Sequence, residues 1–535
     1  MKKEILILLF IVLVENTLAQ VGLQFGSGED LDGYILYQPN NNLTTYLIDG
    51  EGYVVAEWES VYQPGRAVYL LYNGNLLKTA RIENFNFIDG GRGGRIELIS
   101  SSNEVLWSYE LSNEFESLHH DVAFLPNGNI LALAWEKISS DDALENGRKP
   151  ELIPANSEIW MEKIIELKPS GSSDATIVWE WHLIDHLVQD YDETKSNYGD
   201  ISSDYRKLDF NYQIDNNGAD WIHMNAIDYN EELDQIVVST PFINEIWIID
   251  HSTTTLEAST GAGGNSGHGG DFLFRWGNNH TYGMSNLKDR DLFGQHNPQW
   301  IKENGDWKIL LFNNGRGREE LYSTIDQVDL SFDNDGLNYS VLDGVFNSNS
   351  TNIYTAENKD EFYSSFVSGV QKLANNQYLI CEGANGRIFQ IDENKRVVWE
   401  YVNPIDIEPK CSNSLEETGG IVFRASYIPK DFNGLSDYNI NRKYLLETLG
   451  CPLKTKKEIV NSVFKIQSLS SDYLEFNFAS GINDVAFYTI DGKSIPFSYM
   501  GDQNFIAKIN GYTGVIIVNC ALNDKKIVKK IVLKK

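Results

Sequence analysis

No Cys-x-x-Cys pair occurs anywhere in the chain, whose only cysteines are Cys381, Cys411, Cys451 and Cys520. A thiolate zinc centre or a dithiol redox site therefore has no ligand set to draw on. Basic residues are also scarce, 44 against 76 acidic ones, for a net charge of −32 over 535 residues. Such a surface repels polyphosphates and anionic bilayers, which excludes nucleic acid and membrane surfaces as partners. Past the first residues no apolar run approaches the ~20 residues of a membrane helix, so no span is expected. Long helical periodicity is nearly absent, apart from a short stretch at Ile184 to Gln189. The glycine-rich Gly261 to Gly270 lacks the lysine and following helix of a phosphate loop. Asp333 to Gly336 likewise falls short of a full calcium ligand set. No cofactor and no metal are expected.

What the chain does have is aromatic side chains (12%) and 43 glycines, a composition suited to β-structure with many turns. Short alternating runs such as Thr44 to Trp58, Ala67 to Ala80 and Gly94 to Glu110 are separated by hairpin signals, among them Asn73-Gly74 and Asn127-Gly128. The N-terminus opens with Lys2 and Lys3, continues with an apolar Ile5 to Val14, and reaches Thr17-Leu18-Ala19 before Gln20. Residues 1–19 thus read as a secretory signal peptide, and the mature chain is expected to be secreted or held at the cell surface. Export permits disulfides, and Cys411 with Cys451 would close a polar loop region, whereas Cys381 reads as a buried thiol.

Units of similar pattern recur along the chain, from Leu118 to Trp135, from Asp220 to His251, from Gly294 to Gly315 and from Val367 to Tyr401. Each has a polar start, an apolar strand, a turn and a second apolar strand. Several run on to a tryptophan in a later strand, as at Trp107, Trp179 and Trp399. Four strands per unit at roughly seventy-residue spacing is the signature of propeller blades, and about six fit between residues 21 and 455. The predicted fold is all-β: a six-bladed propeller over 20–455, with Phe423 to Phe432 as a late strand closing the ring. A small β-sandwich of seven short strands is expected over 459–535. In a propeller the inner strands line the axis, so His120, His223 and His296, which open inner strands of three blades, should converge there. Asn225, two residues from His223, should share its strand face and supply an amide to an oxyanion. Trp276, Trp300 and Tyr363 are available to stack on an aromatic substrate. His251 reads as structural, and His182, His186, His268 and His280 carry no assigned role.

The chain from about Val21 to Leu446 resembles the secreted bacterial arylsulfate sulfotransferases, through LHHDVAFLPNGN, DWIHMNAIDYNEELDQIVVS, EIWIIDH, FLFRWGN, LFGQHNPQW, FNNG and LICEGANGR. The resemblance implies a propeller enzyme that moves a sulfuryl group from a phenolic sulfate to a phenolic acceptor through a sulfohistidine, without a nucleotide donor. On it His296 matches the nucleophile, His223 and Asn225 the pair on the sulfate oxygens, and His120 a channel histidine, with His119 adjacent to it. An arginine that the family's best-known branch carries falls here near Pro241 and is absent; either Arg316 or Arg318 substitutes, or the site manages with neutral donors. The C-terminal unit resembles the type IX secretion sorting domain of Bacteroidetes proteins, through Ile490 to Lys493, Gly511 to Val518 and the basic terminus. That implies the type IX secretion machinery as a partner. A neutral imidazole is a competent nucleophile near pH 7, and a two-step transfer lets donor and acceptor use one pocket in turn. The competing reading is a non-catalytic propeller that binds sulfated or phenolic ligands at the cell surface.

Overall fold

The computed structural model describes residues 21–213, 218–407, 409–410 and 419–447, together with the strands between 464 and 533. The signal peptide and both Cys411 and Cys451 lie outside the described residues. The described residues of the larger unit build six four-stranded antiparallel sheets in which the chain runs outward from the axis. The first blade comprises Gln63–Leu70, Leu76–Arg81, Gly94–Ile99 and Val105–Glu110. The second comprises Glu116–Phe124, Ile130–Ser139, Glu158–Ser170 and Asp174–His182. The third runs through Ala226–Asn230, Gln235–Thr240, Glu245–Asp250 and Phe274–Trp276, and the fourth through His296–Glu303, Asp306–Asn313, Thr324–Leu330 and Ser348–Tyr354. Gly369–Lys372, Tyr378–Glu382, Arg387–Ile391 and Val397–Val402 form the fifth, to which Gly22–Phe25 adds an outer strand. In the sixth, Val422–Pro429 is the inner strand and pairs with Gly33–Pro39, followed by Thr44–Asp49 and Val54–Glu59. The late strand expected around Phe423 thus closes the ring, with Gly33 opposite Pro429. Ile184 to Gln189 contributes only a short 3₁₀ turn, Leu183–His186.

Apolar side chains of successive sheets form the core between blades, and outer-strand tryptophans fasten three of the blades to the next. The indole N–H of Trp107 donates to the Asp174 carbonyl (2.9 Å), that of Trp179 to Thr253 Oγ1 (3.1 Å) and that of Trp399 to the Gly50 carbonyl (2.7 Å). A large apolar ring with one polar handle suits this position, because burial supplies the energy and the N–H fixes the register. His251 belongs to the same class of bridge. It hydrogen-bonds Asp234 (2.7 Å) and Glu166 (3.1 Å) across the second and third blades, and these partners, against burial, raise its pKa to about 9.

Around the axis a ring of polar contacts joins every inner strand to its neighbour. Tyr69 Oη donates to Asp121 (2.6 Å), the Ile227 N–H to Asp121 (3.3 Å) and the Trp300 N–H to Asp228 (2.8 Å). Val370 N–H donates to Asn297 Oδ1 (3.0 Å), and the Tyr427 N–H donates to Gln371 Oε1 (2.7 Å). Arg424 completes the circle by donating to Tyr69 (2.6 Å) and Asp121 (2.9 Å). Removing one partner of the Arg424–Asp121 ion pair, whose side chains are 9% and 0% exposed, would leave an uncompensated charge at a cost of about 3–5 kcal/mol.

Between residues 464 and 533, Phe464–Ser468, Tyr473–Phe478, Asn504–Lys508 and Phe497–Tyr499 form one sheet, and Ile482–Thr489, Gly514–Leu522 and Lys525–Leu533 another. Phe476 of the first meets Phe487 of the second with ring centroids 4.5 Å apart.

Candidate active site

The ends of the inner strands do not run straight into their loops. Arg66 (φ 120°), His120 (47°), His223 (61°), Asn297 (53°), Val367 (51°) and Ser368 (91°) are all left-handed, one or two in each of five blades. Registers slip at the same places: between Pro64 and Val68, opposite His119 to Asp121, and between His296 and Gln299. Bulges of this kind re-aim side chains and concentrate at functional sites. Here they turn polar side chains from several blades toward the axis.

The product is a cavity of about 300 Å³ walled by Arg66, Asp89, His120, His223, His296 and Arg316, with Phe242, Phe366 and Phe423 as apolar faces. The three histidines named from sequence therefore meet. His120 and His223 are edge to face at 4.6 Å between centroids, and His223 stacks on Phe242 at 4.5 Å. His119 is turned away from the cavity and stacks on Trp135 (4.2 Å, 10°). A larger and more open cavity of about 950 Å³ shares Phe242 as a wall, and Asp190, Asp200 and Asp209 line it.

The three imidazoles are in different electrostatic states. His296 Nδ1 faces two acceptors, Asn314 Oδ1 (2.8 Å) and the Gly294 carbonyl (3.1 Å), so this nitrogen carries the proton. Asn314 is itself oriented, since its amide donates to the Ser364 (2.7 Å) and Val367 (2.9 Å) carbonyls. The lone pair of Nε2 then accepts from the Val367 N–H (3.1 Å). Burial, together with the positive neighbours His223 and Arg424, pushes the His296 pKa down to about 3, although its hydrogen bonds resist the shift. It is a free base at any physiological pH. His223 is held the other way. Burial opposes its charge, but Nδ1 is bonded to the buried Asp220 carboxylate, and with Asp89 and Glu162 nearby its pKa ends above the ordinary value. His120 lies well below the ordinary value through burial and the adjacent His223 and His119. Asp89 is pushed up to about 7 by burial and by the charge of Asp220.

Three sequence expectations change. His223 and Asn225 do not share a strand face, because the strand begins only at Ala226 and His223 is left-handed. Asn225 is fully buried behind the cavity, where its amide donates to the Gln295 carbonyl (2.9 Å) and so holds the segment bearing His296. The aromatic walls are Phe242, Phe366 and Phe423, not Trp276, Trp300 or Tyr363. Of the two candidate arginines, Arg316 lines the cavity, while Arg318 donates to the Tyr322 carbonyl (2.8 Å) and Thr324 (3.2 Å). Sequence reasoning missed Asp89 and Arg66. The only sequence sign of Asp89 is the run Asp89-Gly-Gly-Arg-Gly-Gly94, whose glycines bring backbone against the histidine cluster. A Cβ on Gly91, at φ +81°, would stand 1.8 Å from His120 Cε1. Gly91→Ala is expected to displace the His120 ring and lower turnover of an aryl sulfate roughly 10²-fold. Steady-state kinetics beside a melting curve checks this, and unchanged turnover would mean that His120 does not need its present place.

The sequence model of the arylsulfotransferase (ASST) family matches residues 34–408. The chain belongs to the arylsulfotransferase family. It is thereby an enzyme of the aryl-sulfate sulfotransferase type, with phenolic substrates implied. No curated protein matches the chain. Among solved structures, this arylsulfotransferase is similar to a protein of unknown function from Bacteroides caccae, at 11% identity and a TM-score of 0.38, over 75% of this chain and 100% of that one. Virginiamycin B lyase from Staphylococcus aureus gives 11% identity and a TM-score of 0.32 over 74% and 87%. At these scores neither likeness bears on the activity.

Proposed function

We propose that this arylsulfotransferase is an exported enzyme that transfers a sulfuryl group between phenols in two steps through a sulfohistidine at His296. The observation that carries the reading is the His296 tautomer, with Nδ1–H held by Asn314 and Gly294 and the Nε2 lone pair at the cavity. Attack of Nε2 on sulfur forms the N–S bond as the S–O bond to the phenol breaks. The ring then becomes cationic, and the two acceptors on Nδ1–H stabilise it. The Val367 N–H, bonded to Nε2 beforehand, is placed to donate to a sulfonate oxygen once the lone pair is consumed. Val367 keeps a φ of 51°, strained for a β-branched residue, within a turn fixed by Ser364 and Ser368.

His223, whose charged form Asp220 favours against burial, and the guanidinium groups of Arg66 and Arg316 offer positive charge to the sulfonate. Arg316 is exposed at the mouth and forms no ion pair with the described residues, so it is the better substitute for the arginine missing near Pro241. Phe242, Phe366 and Phe423 give the phenol its apolar faces. In the second step a phenol takes the first one's place and the sulfuryl group leaves His296. Asn225 acts through Gln295 rather than on the substrate. Residues 1–19 are read as the export signal and residues 459–535 as a β-sandwich sorting domain of the type IX kind, consistent with their two sheets.

Intact-mass and peptide analysis after mixing with 4-nitrophenyl sulfate and no acceptor tests this reading. A sulfuryl adduct on the peptide containing His296, discharged by added phenol, is expected. No adduct and no nitrophenol release would favour the ligand-binding propeller.

A further inference from the structure

We propose that Glu162 and His119 form a buried proton relay behind His120, so that His120 can act as an acid in one half-reaction and a base in the other. This rests on the two-step reading above and adds to it the source and destination of the proton. The geometry is a single file. Glu162 Oε2 is 3.0 Å from His119 Nε2, and His119 Nδ1 is 2.9 Å from His120 Nδ1. Among the described residues His120 Nε2 has no hydrogen-bond partner, and His120 lines the cavity. The His119 and Glu162 side chains are wholly inaccessible to solvent, and Glu162 Oε1 is occupied by the Met224 N–H (2.7 Å). A hydrogen must sit between the two Nδ1 atoms, which ties the tautomers together. With both imidazoles neutral, two proton arrangements satisfy every contact.

In the first, Glu162 is a carboxylate accepting from His119 Nε2–H, His120 Nδ1–H donates to His119 Nδ1, and His120 Nε2 presents a lone pair. In the second, the Glu162 hydroxyl donates to His119 Nε2, His119 Nδ1–H donates to His120 Nδ1, and His120 Nε2 carries a hydrogen. The second holds one more proton than the first, and none of its three groups is charged. The departing phenolate takes the hydrogen of His120 Nε2. The Nδ1 hydrogen of His119 then moves to His120, and the hydroxyl hydrogen of Glu162 moves to His119 Nε2. An incoming phenol reverses each transfer as its oxygen attacks sulfur. No imidazolium has to form at His120, whose charged state is disfavoured by burial and by His223, Arg66 and His296 around it. A lone buried histidine would have to pass through its disfavoured imidazolium to work in both directions; one backed by a neutralisable carboxylate does not.

Glu162→Gln tests the relay. The glutamine keeps an acceptor for Met224 N–H and donates an amide hydrogen to His119 Nε2, which locks His120 Nε2 as a hydrogen donor that cannot release its proton. The readout is single-turnover phenol release without acceptor, compared between phenyl sulfate and 4-nitrophenyl sulfate. Release from phenyl sulfate, whose leaving group needs the proton, should fall by roughly 10²-fold or more, and release from 4-nitrophenyl sulfate by less than about tenfold. His119→Phe, which retains the stack on Trp135 but cuts the file, should give the same steepened dependence, and the double variant should be no worse than either single one. Equal losses for the two donors would overturn the relay and leave Glu162 as a support for the Met224 backbone. If wild-type protein forms no adduct on His296, the two-step reading fails first, so the two failures are distinguishable.

Discussion

His296→Asn should lose turnover of aryl sulfates by roughly 10⁴-fold or more and should carry no sulfuryl adduct. Asparagine reaches only as far as the place of Nδ1, where its amide N–H can still donate to Asn314, and it is small enough for the space, so the cavity should keep its shape. No group is then left with a lone pair at the position of Nε2. Affinity for an unreactive phenol should change by less than about tenfold, because Phe242, Phe366 and Phe423 are untouched. Calorimetry of phenol binding beside turnover separates the two effects. Turnover within tenfold of the wild type would remove His296 from the chemistry. Because burial keeps this imidazole unprotonated down to about pH 3, its own titration should leave no mark on the activity profile in the working range.

Asp220→Asn is the second substitution with a large expected effect, and its sign follows from the opposing influences on His223. Burial lowers the pKa of this imidazole and Asp220 raises it, with smaller help from Asp89 and Glu162. The net result is raised, so the cation persists above the ordinary ~6.5. With asparagine, burial is less opposed and the value should fall below ~6.5. The alkaline limb of kcat/KM then moves toward acid, and activity at pH 7.5 should fall about 10²-fold while the loss at pH 5 is smaller. The same linkage acts on stability. A raised folded-state pKa contributes fully below the unfolded value and fades as pH rises through the folded one, so the stability deficit of the variant should also be larger at low pH. Rate profiles of the two proteins that run parallel from pH 5 to 8 would contradict a cationic His223.

Much of the architecture was legible because a propeller repeats its pattern. Gly and Asn turns marked the hairpins, Trp107, Trp179 and Trp399 marked outer strands, and histidines at matching positions of three units marked the axis. The sorting of residues within the site was less legible. Strand alternation put His223 and Asn225 on one face, but a single left-handed residue cancels alternation, and nothing in Trp-Ile-His-Met-Asn announces that φ. Asp89 and Arg66 come from a glycine-rich turn and a bulge of the first blade, where side-chain direction depends on neighbours far along the chain. His119 and His120 could not be told apart by spacing; the bulge opposite Ala132 to Ala134 decides which ring enters the cavity.

The closing strand Val422–Pro429 also carries a consequence for how the enzyme comes into being. It brings Phe423 to the cavity and Arg424 to the axial ring, while Arg66 and Asp89 come from the first blade. Contacts between such distant segments form late, after the costly entropy of closing a long loop has been met. A chain emerging N-terminus first therefore holds its nucleophile without its pocket until nearly the whole propeller is present. Catalytic competence is a report on completion: the pocket exists only once the circle has shut.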